Sequence, residues 1–248
     1  MHYALKQYDW VLHQAAAYDV VVLAGDHLDI SSAVDIRSQI TVIQTYMRRI
    51  GAKTRLLVCS GNHDLDARNA VGEKYARWIQ RARQFGVPTD SDSLKIGGTL
   101  FTVCPWWDGP ESCRQIAPLF DRDNPVDKER WIWVYHAPPS ASPTCWDGRR
   151  FFGDDQLLAW IEQYQPDMVL TGHIHQSPFK KDGSWVDRIG KTWVFNAGRQ
   201  SGPVPCHIVI NTEVEEALWL SLAGGETVFL NQSLLWSRTE LTALPGWL

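Results

Sequence analysis

The segment VVVLAGDHLD at residues 20–29 joins an apolar run directly to a cluster of polar side chains. The run is continuous rather than alternating, which is typical of a strand covered on both faces of a sheet. Gly25 stands at the junction, where glycine lets the backbone turn sharply. Three later apolar runs end in the same way, in GNHD at residues 61–64, in His136 and in GHIH at residues 172–175.

These four polar clusters are expected to meet, because the carboxyl ends of parallel strands share one edge of an open α/β sheet. Carboxylate, amide oxygen and imidazole together suit Mn²⁺, Fe²⁺ or Zn²⁺, and the absence of a thiolate disfavours a structural zinc site. The spacing of His173 and His175 can direct both rings into one cavity, one toward each of two ions. The carboxylate of Asp26 can bridge such a pair.

Apolar runs and helical periodicity alternate through most of the chain and predict an α/β fold. Strands are expected at residues 19–24, 55–60, 100–104, 131–135, 168–171 and 192–196. Helices are expected at residues 5–17, 31–50, 69–84 and 154–163. Gly97 and Gly98 predict a hairpin, and residues 206–230 predict a strand meander that belongs to a second sheet. With neither an internal repeat nor a linker, residues 1–248 are expected to form a single domain.

Composition narrows the class of protein further. The 248 residues are 44% hydrophobic with a formal net charge of −4, which excludes a disordered chain and argues against nucleic acid or anionic membrane as a partner. No apolar run approaches the roughly 18 residues that a membrane span needs. The N-terminus lacks the layout of a signal peptide, and the five cysteines include no CxxC pair. A cytoplasmic globular protein is expected.

The ordered set GDxxD at residues 25–29, GNHD at 61–64, His136 and GHxH at 172–175 resembles the calcineurin-like metallophosphoesterase superfamily. The resemblance covers about residues 1–200. It implies an α/β fold, a four-layer α/β/β/α sandwich of two mixed β-sheets flanked by helices. It also implies a metal-dependent hydrolase that cleaves phosphomonoesters or phosphodiesters with a dinuclear centre and a bridging hydroxide.

Carried over position by position, the resemblance implies two divalent ions, with Mn²⁺ expected and Fe, Zn, Ni or Mg as alternatives. Asp26 matches the bridging ligand, three residues match the ligands of one metal, and two belong with the other. The metal ligands that it implies are His2, Asp26, Asn62, His136, His173 and His175. The catalytic residues that it implies are His63, which protonates the leaving oxygen or steadies the transition-state charge, and Asp29, which orients His63, with Asp64 as the rival for that task.

The chain departs from the family pattern at its start. The first motif, DxH, should place an aspartate two positions before its histidine, and that histidine matches His2. The aspartate and the strand before it would then precede Met1. The preferred interpretation is that the natural protein begins upstream; the alternative is a metal site that has lost one carboxylate. In the chain as given, the sheet is expected to lack its first strand, and the site shared by His2 and His175 to be weakened.

Substrate contacts are the least specific of these expectations. Trp106 and Trp107 follow a strand at the same sheet edge and fit either a hydrophobic plug or an aromatic platform. Arg149 and Arg199 fit either a solvated face or a grip on a second phosphate. His27 occupies a variable motif position, so a role in the pocket wall or at the surface is expected rather than ligation.

Two rival functions remain open from the sequence. A metal-poor scaffold of the same fold could bind a protein partner, which the missing aspartate favours and the retained His63 disfavours. A DNA-processing nuclease of the superfamily is disfavoured by the acidic balance. The expected partner is a small phosphoester substrate, a nucleotide included, whereas the physiological substrate and the oligomeric state cannot be derived from these motifs.

Overall fold

The computed structural model describes residues 1–235 and 239–248, and within them the chain forms five α-helices, fourteen strands and several short 3₁₀ turns. The helices are α1 (Leu5–Gln14), α2 (Ile36–Gly51), α3 (Pro110–Arg114), α4 (Ala117–Asp123) and α5 (Asp155–Tyr164). The strands are β1 (Val20–Ala24), β2 (Arg55–Cys59), β3 (Ala67–Arg68), β4 (Lys74–Tyr75), β5 (Ser93–Ile96), β6 (Thr99–Val103), β7 (Arg130–Val134), β8 (Met168–Thr171), β9 (Val186–Ile189), β10 (Thr192–Asn196), β11 (His207–Asn211), β12 (Glu216–Ser221), β13 (Gly224–Phe229) and β14 (Thr239–Glu240).

The main sheet has six strands in the order β5-β6-β7-β8-β10-β9. Its four inner strands run parallel, and β5 and β9 are antiparallel edges, so the sheet is mixed as expected. A second layer holds the parallel pair β1-β2 and the antiparallel sheet β11-β12-β13-β14. The hairpin predicted at Gly97 is the β5-β6 connection, and the predicted meander is β11 to β13.

Successive side chains of a strand face opposite sides of its sheet, and this alternation shows that the fold has four layers. In β2, Leu56 and Val58 pack with the apolar residues of α1 and α2, whereas Leu57 and Cys59 pack against the six-stranded sheet. In β7, Trp131 and Trp133 point the other way, into a cluster with the side chains of α4 and α5. The order is therefore helices, sheet layer, sheet layer, helices, and the predicted α/β/β/α sandwich is confirmed.

The second layer begins with a pair of strands, β1 and β2. Among the described residues no strand precedes α1, and β1 pairs with β2 alone. The β1-β2 pair and the β11–β14 sheet are separate sheets within one layer, and Val22 of β1 and Ile208 of β11 belong to the same apolar cluster. None of the helices formed by residues 1–235 and 239–248 has the length and hydropathy needed to cross a membrane.

Two helix predictions require correction. The predicted helix at residues 69–84 is wrong: the segment contains the end of a β3-β4 hairpin and a 3₁₀ stretch at Ile79–Phe85. The Asn69 side chain accepts from the backbone N–H groups of Val71 and Glu73, and this local turn wins over helical pairing. Helix α2 begins at Ile36 rather than near residue 31, because the carboxylate of Asp35 caps its first N–H groups.

Candidate metal centre

The strand ends bring the expected ligands to one place. Asp26 follows β1, Asn62 follows β2, His136 follows β7 and His173 follows β8. Two groups form there, His2 with Asp26 and His63, and Asp26 with His136 and His173, and in each group the ligand atoms all lie within 4.8 Å of one another. Asp26 belongs to both groups, which is the position that a bridging ligand needs.

The distances between neighbouring donor atoms match those between adjacent ligands of one metal ion. His2 Nε2 lies 2.9 Å from His175 Nε2 and 3.4 Å from Asp26 Oδ2, and His136 Nε2 lies 3.2 Å from that same oxygen. Donors about 2.1 Å from one ion lie about 3 Å apart or slightly more when they are adjacent in its coordination shell. The side chains are therefore already spaced as ligands.

Three of the donor atoms are buried and have no hydrogen-bond partner. They are Asn62 Oδ1, His136 Nε2 and His173 Nδ1. A buried polar atom left unpaired costs about 1–3 kcal/mol, so unpaired nitrogens on both His136 and His173, which lie in one group with Asp26, call for a partner. All three carry a lone pair that a divalent ion can use, and the amide, imidazole and carboxylate set suits Mn²⁺, Fe²⁺ or Zn²⁺. The residues present therefore fit a metal.

The backbone at the site is held in unusual conformations. Asp26 has φ +53° and His173 has φ +63°, and Gly25 between β1 and Asp26 has φ +82°. Positive φ is costly for residues other than glycine and clusters at functional sites. A Cβ on Gly25 would lie 2.3 Å from His136 Nδ1, and one on Gly61 would lie 2.3 Å from Asp26 Oδ1. Both glycines are thus required for the close approach of the ligands.

Most of these imidazoles are held neutral because burial lowers their pKa. Burial lowers the pKa of His2 to about 3, and the N-terminal ammonium lowers it further. Burial lowers the pKa of His175 to about 4, and Arg199 lowers it further. Burial also lowers the pKa of His173 to about 4. Neutral imidazoles have a free lone pair for a metal. At Asp26, burial opposes ionisation, but His136 outweighs it and holds the pKa of the carboxyl well below its usual range.

Surrounding hydrogen bonds orient the ligands. His136 Nδ1 lies 2.7 Å from the carbonyl oxygen of Ala24 and must donate to it, which leaves Nε2 as the metal-binding nitrogen. Asp26 Oδ1 accepts from the backbone N–H of His63 at 3.0 Å. The buried carboxylate of Asp64 accepts from three backbone N–H groups, those of His27, Leu28 and Gly61, and so ties the two motif loops together.

The expected link between Asp29 and His63 is not present. His63 Nδ1 is buried without a hydrogen-bond partner, and the side chain of Asp29 accepts from the backbone N–H of Ser31 instead. Asp64 does not orient the ring either, because its carboxylate is taken up by the three backbone N–H groups. His63 itself lies in the site, with its ring centroid 4.6 Å from that of His2.

Of the residues expected to contact substrate, Trp106 and Arg199 lie beside the site, whereas Trp107 and Arg149 make other contacts. Trp106 lies against the site, with ring centroids 5.6 Å from His136 and 5.4 Å from His173. Arg199 is exposed beside His175, whose carbonyl oxygen accepts its backbone N–H at 3.1 Å. The indole N–H of Trp107 instead donates to Tyr135 and Asp154, which makes it a structural anchor.

Arg149 is exposed on a turn, where its backbone N–H donates to Asp147. His27 is buried, and its two ring nitrogens form hydrogen bonds with Tyr8 Oη and with the carbonyl oxygen of Cys59. It therefore supports the fold, and it is neither at the surface nor a metal ligand.

Two features of the site were missed from the sequence. Phe152 packs on His173 with ring centroids 6.0 Å apart, and Arg150 lies over the Phe152 ring. The available signal was the aromatic pair that directly follows Arg149 and Arg150. Asp90 is buried and accepts from the backbone N–H of Ser60, whose Oγ accepts in turn from the backbone N–H of Trp106. No motif marks that connection.

A four-layer sandwich with carboxylate, amide and imidazole ligands at its strand ends defines the class of metal-dependent phosphoesterases. The profile of the calcineurin-like phosphoesterase family matches residues 1–177, and the chain belongs to this family. The family is metal-dependent, which agrees with the histidine and aspartate groups found here. No curated protein sequence matches the chain.

The chain is similar to solved structures at low sequence identity. The crystal structure of TT1561 of Thermus thermophilus has a TM-score of 0.56 and 13% identity, covering 93% of this chain and 95% of the other. A predicted phosphoesterase from Streptococcus pneumoniae has a TM-score of 0.36 and 13% identity, covering 97% and 91%. The zinc complex of Vps29 from Entamoeba histolytica has a TM-score of 0.39 and 12% identity, covering 94% and 88%. The likeness to TT1561 supports the fold alone.

Proposed function

We propose that this chain hydrolyses phosphomonoesters or phosphodiesters at a dinuclear metal centre. The observation that carries the proposal is the group of Asp26, His136 and His173, whose ligand atoms all lie within 4.8 Å of one another and in which His136 Nε2 and His173 Nδ1 are buried without hydrogen-bond partners. Hydrogen bonding within the described part of the protein leaves both nitrogens unsatisfied, whereas one bound cation would satisfy them together.

In this proposal, Asp26, Asn62, His136 and His173 hold one ion, and Asp26, His2 and His175 hold the second. Asp26 carries the negative charge that both ions share. Metal ions bound by these residues would supply an activated water as nucleophile and would neutralise the phosphate charge. Mn²⁺ is the ion proposed, with Fe, Zn, Ni and Mg as alternatives, because a set of carboxylate, amide and imidazole ligands accepts several divalent ions.

His63 is proposed to assist the leaving oxygen. Its backbone N–H is fixed by Asp26 at 3.0 Å, and its ring packs edge-on against His2. His63 as a whole is only half-buried, so part of its side chain is open to a substrate oxygen. Proton donation by such a group contributes about 10²–10⁴-fold to a rate. The exposed guanidinium of Arg199 is placed to bind a phosphate oxygen.

The test is hydrolysis of p-nitrophenyl phosphate and bis-p-nitrophenyl phosphate by the full chain after metal removal and reloading. EDTA should abolish activity, and Mn²⁺ should restore it. His63→Ala should lower kcat by at least about 100-fold while the metal content stays unchanged. The matched control is His13→Ala, because His13 is exposed and bonds only to the carbonyl oxygen of Asp9 in its own helix.

The contradicting results are distinct. Hydrolysis that survives both EDTA and His63→Ala would refute the mechanism. Fewer than one ion per chain after reloading, without turnover, would favour a scaffold that binds a protein partner. Cleavage of single- or double-stranded DNA under conditions where both nitrophenyl esters resist would favour a nuclease.

A further inference from the structure

The turn at residues 145–152 is rigid and lies next to the metal centre. The backbone N–H of Phe152 donates to the carbonyl oxygen of Cys145 at 2.8 Å, and that of Asp147 donates to Arg150 at 3.0 Å. The side chain of Asp147 accepts from the N–H groups of Arg149 and Arg150. These bonds fix the turn from within, so that the side chains at its end are held in place.

Phe152 is the side chain that joins this turn to the site. Its ring is nearly parallel to that of His173, with an interplanar angle of 27° and a centroid distance of 6.0 Å. Even so, 46% of Phe152 is exposed. A large aromatic ring left half in water beside a metal ligand leaves apolar area that a bound group can cover.

A flat group already lies over the Phe152 ring. The guanidinium carbon of Arg150 is 4.9 Å from the ring centroid. The Arg150 side chain is 71% exposed, and its nearest carboxylate, Asp147, is 3.8 Å away, so it can move aside at little cost. Lys180 packs at the tip of the same turn against Gly148, which adds positive charge next to this surface. The surroundings thus favour an anionic molecule that carries a flat ring.

We propose that Phe152 is the stacking platform for a flat aromatic ring on the phosphoester substrate, with Arg150 exchanging its place on the ring for that group. The proposal rests on the proposed function, since it places the phosphate at the metal centre beside His173. Trp106, which packs on His173 as well, forms the neighbouring wall. The substrate class is a phosphoester with an aryl or nucleoside group, and stacking on Phe152 selects it over an aliphatic ester.

The test measures binding of phenylphosphonate and methylphosphonate to the Mn²⁺-loaded chain by titration calorimetry. Both ligands carry the same head group and resist hydrolysis, so their affinity ratio reports the ring. Stacking of one aromatic ring is worth about 1–3 kcal/mol, which predicts a preference of at least about fivefold for phenylphosphonate. Phe152→Leu should reduce that preference below about twofold, and Phe152→Trp should retain it, because the indole keeps a flat face.

The control variant is Phe151→Leu. Phe151 is equally exposed on the same turn but packs on Trp146 instead of His173, so the preference should stay at the wild-type ratio. Competition by adenosine monophosphate against glycerol phosphate, measured on the same variants, distinguishes a nucleoside ring from a simple aryl ring. Loss of the phenylphosphonate preference in Phe152→Leu supports the platform, and the second pair of ligands then identifies the kind of ring.

Three results overturn the proposal: equal binding of both phosphonates by the wild type, an unchanged ratio in Phe152→Leu, or the same loss in Phe151→Leu. Failure of the proposed function is a separate outcome. A chain that prefers phenylphosphonate but hydrolyses no ester loses the function and keeps the platform. A chain that hydrolyses esters without any preference for the ring loses only the platform.

Discussion

Replacing Gly61 with alanine tests the close approach of β2 to the bridging carboxylate. The added Cβ would lie 2.3 Å from Asp26 Oδ1, 2.5 Å from the Asp26 nitrogen and 2.8 Å from His136 Nε2. Real Cβ contacts do not fall below 3.0 Å, so the Asp26 oxygen must move by at least 0.7 Å, the difference between 3.0 and 2.3 Å. The φ of Gly61 is −116°, which alanine adopts without strain, so the effect is steric.

The expected result follows from these distances. Overpacking of a tight site costs about 1–3 kcal/mol of unfolding free energy. A ligand displaced by nearly 1 Å lowers activity by about 100-fold. Urea unfolding, the metal content of the purified chain and kcat/KM for a nitrophenyl ester measure the three consequences separately.

The control is Gly246→Ala, where no atom lies within 4 Å of the added Cβ, and neither stability nor activity should change. Gly61→Ala with full metal content and activity within about threefold of the wild type would refute the reasoning, because a displacement of this size is expected to cost about 100-fold.

Two further predictions concern buried carboxylates. Asp64→Asn should lower the unfolding free energy by about 3 kcal/mol, because an amide cannot accept from all three buried N–H groups that the carboxylate binds; urea unfolding measures the loss. Burial raises the pKa of Asp90 from 3.8 to about 7, so the folded chain keeps a proton that the unfolded chain releases, and stability falls as the pH rises from about 4 through 7. The unfolding free energy is expected to fall by about 4 kcal/mol in all and by about 2–3 kcal/mol between pH 5 and 8. Asp90→Asn should remove this pH dependence. Urea unfolding of the wild type and the variant across that pH range measures the difference.

Each of these two predictions can be contradicted by comparing the chain with a second variant or with the wild type. Asp35→Asn is the control for Asp64→Asn, since Asp35 caps α2 at the surface, where asparagine caps about as well. An Asp64→Asn chain as stable as the Asp35→Asn chain would show that the three N–H groups do not depend on the charge. A wild-type stability that does not decrease between pH 5 and 8 relative to Asp90→Asn would contradict a carboxyl held protonated by burial.

The parts of the site that the sequence predicts are those set by chain order and strand direction. Asp26, Asn62, His136 and His173 each follow an apolar run, and parallel strands place such positions at one edge. The four layers follow in the same way from alternation, as in Leu56 facing the helices and its neighbour Leu57 facing the other sheet.

The remaining contacts depend on side chains that meet only in three dimensions. The partner expected for His63 is one case: Asp29 belongs to the same motif set, but its carboxylate accepts from the backbone N–H of Ser31, and His63 Nδ1 has no hydrogen-bond partner. The helix predicted at residues 69–84 does not begin at residue 69, because the Asn69 side chain closes a turn there by accepting from the backbone N–H groups of Val71 and Glu73. Phe152 becomes part of the site only because its turn folds back onto His173.

The most direct test of the metal centre is the number of Mn²⁺ ions bound per chain, measured by equilibrium dialysis and elemental analysis. Two ions are predicted for the wild type, with the ion at His2 and His175 bound more weakly. Asn62→Ala and His175→Ala should each lose one of them, Asn62→Ala the tighter ion and His175→Ala the weaker. An unchanged stoichiometry and affinity in both variants, or a wild type that binds no ion, would contradict the assignment of these side chains as ligands.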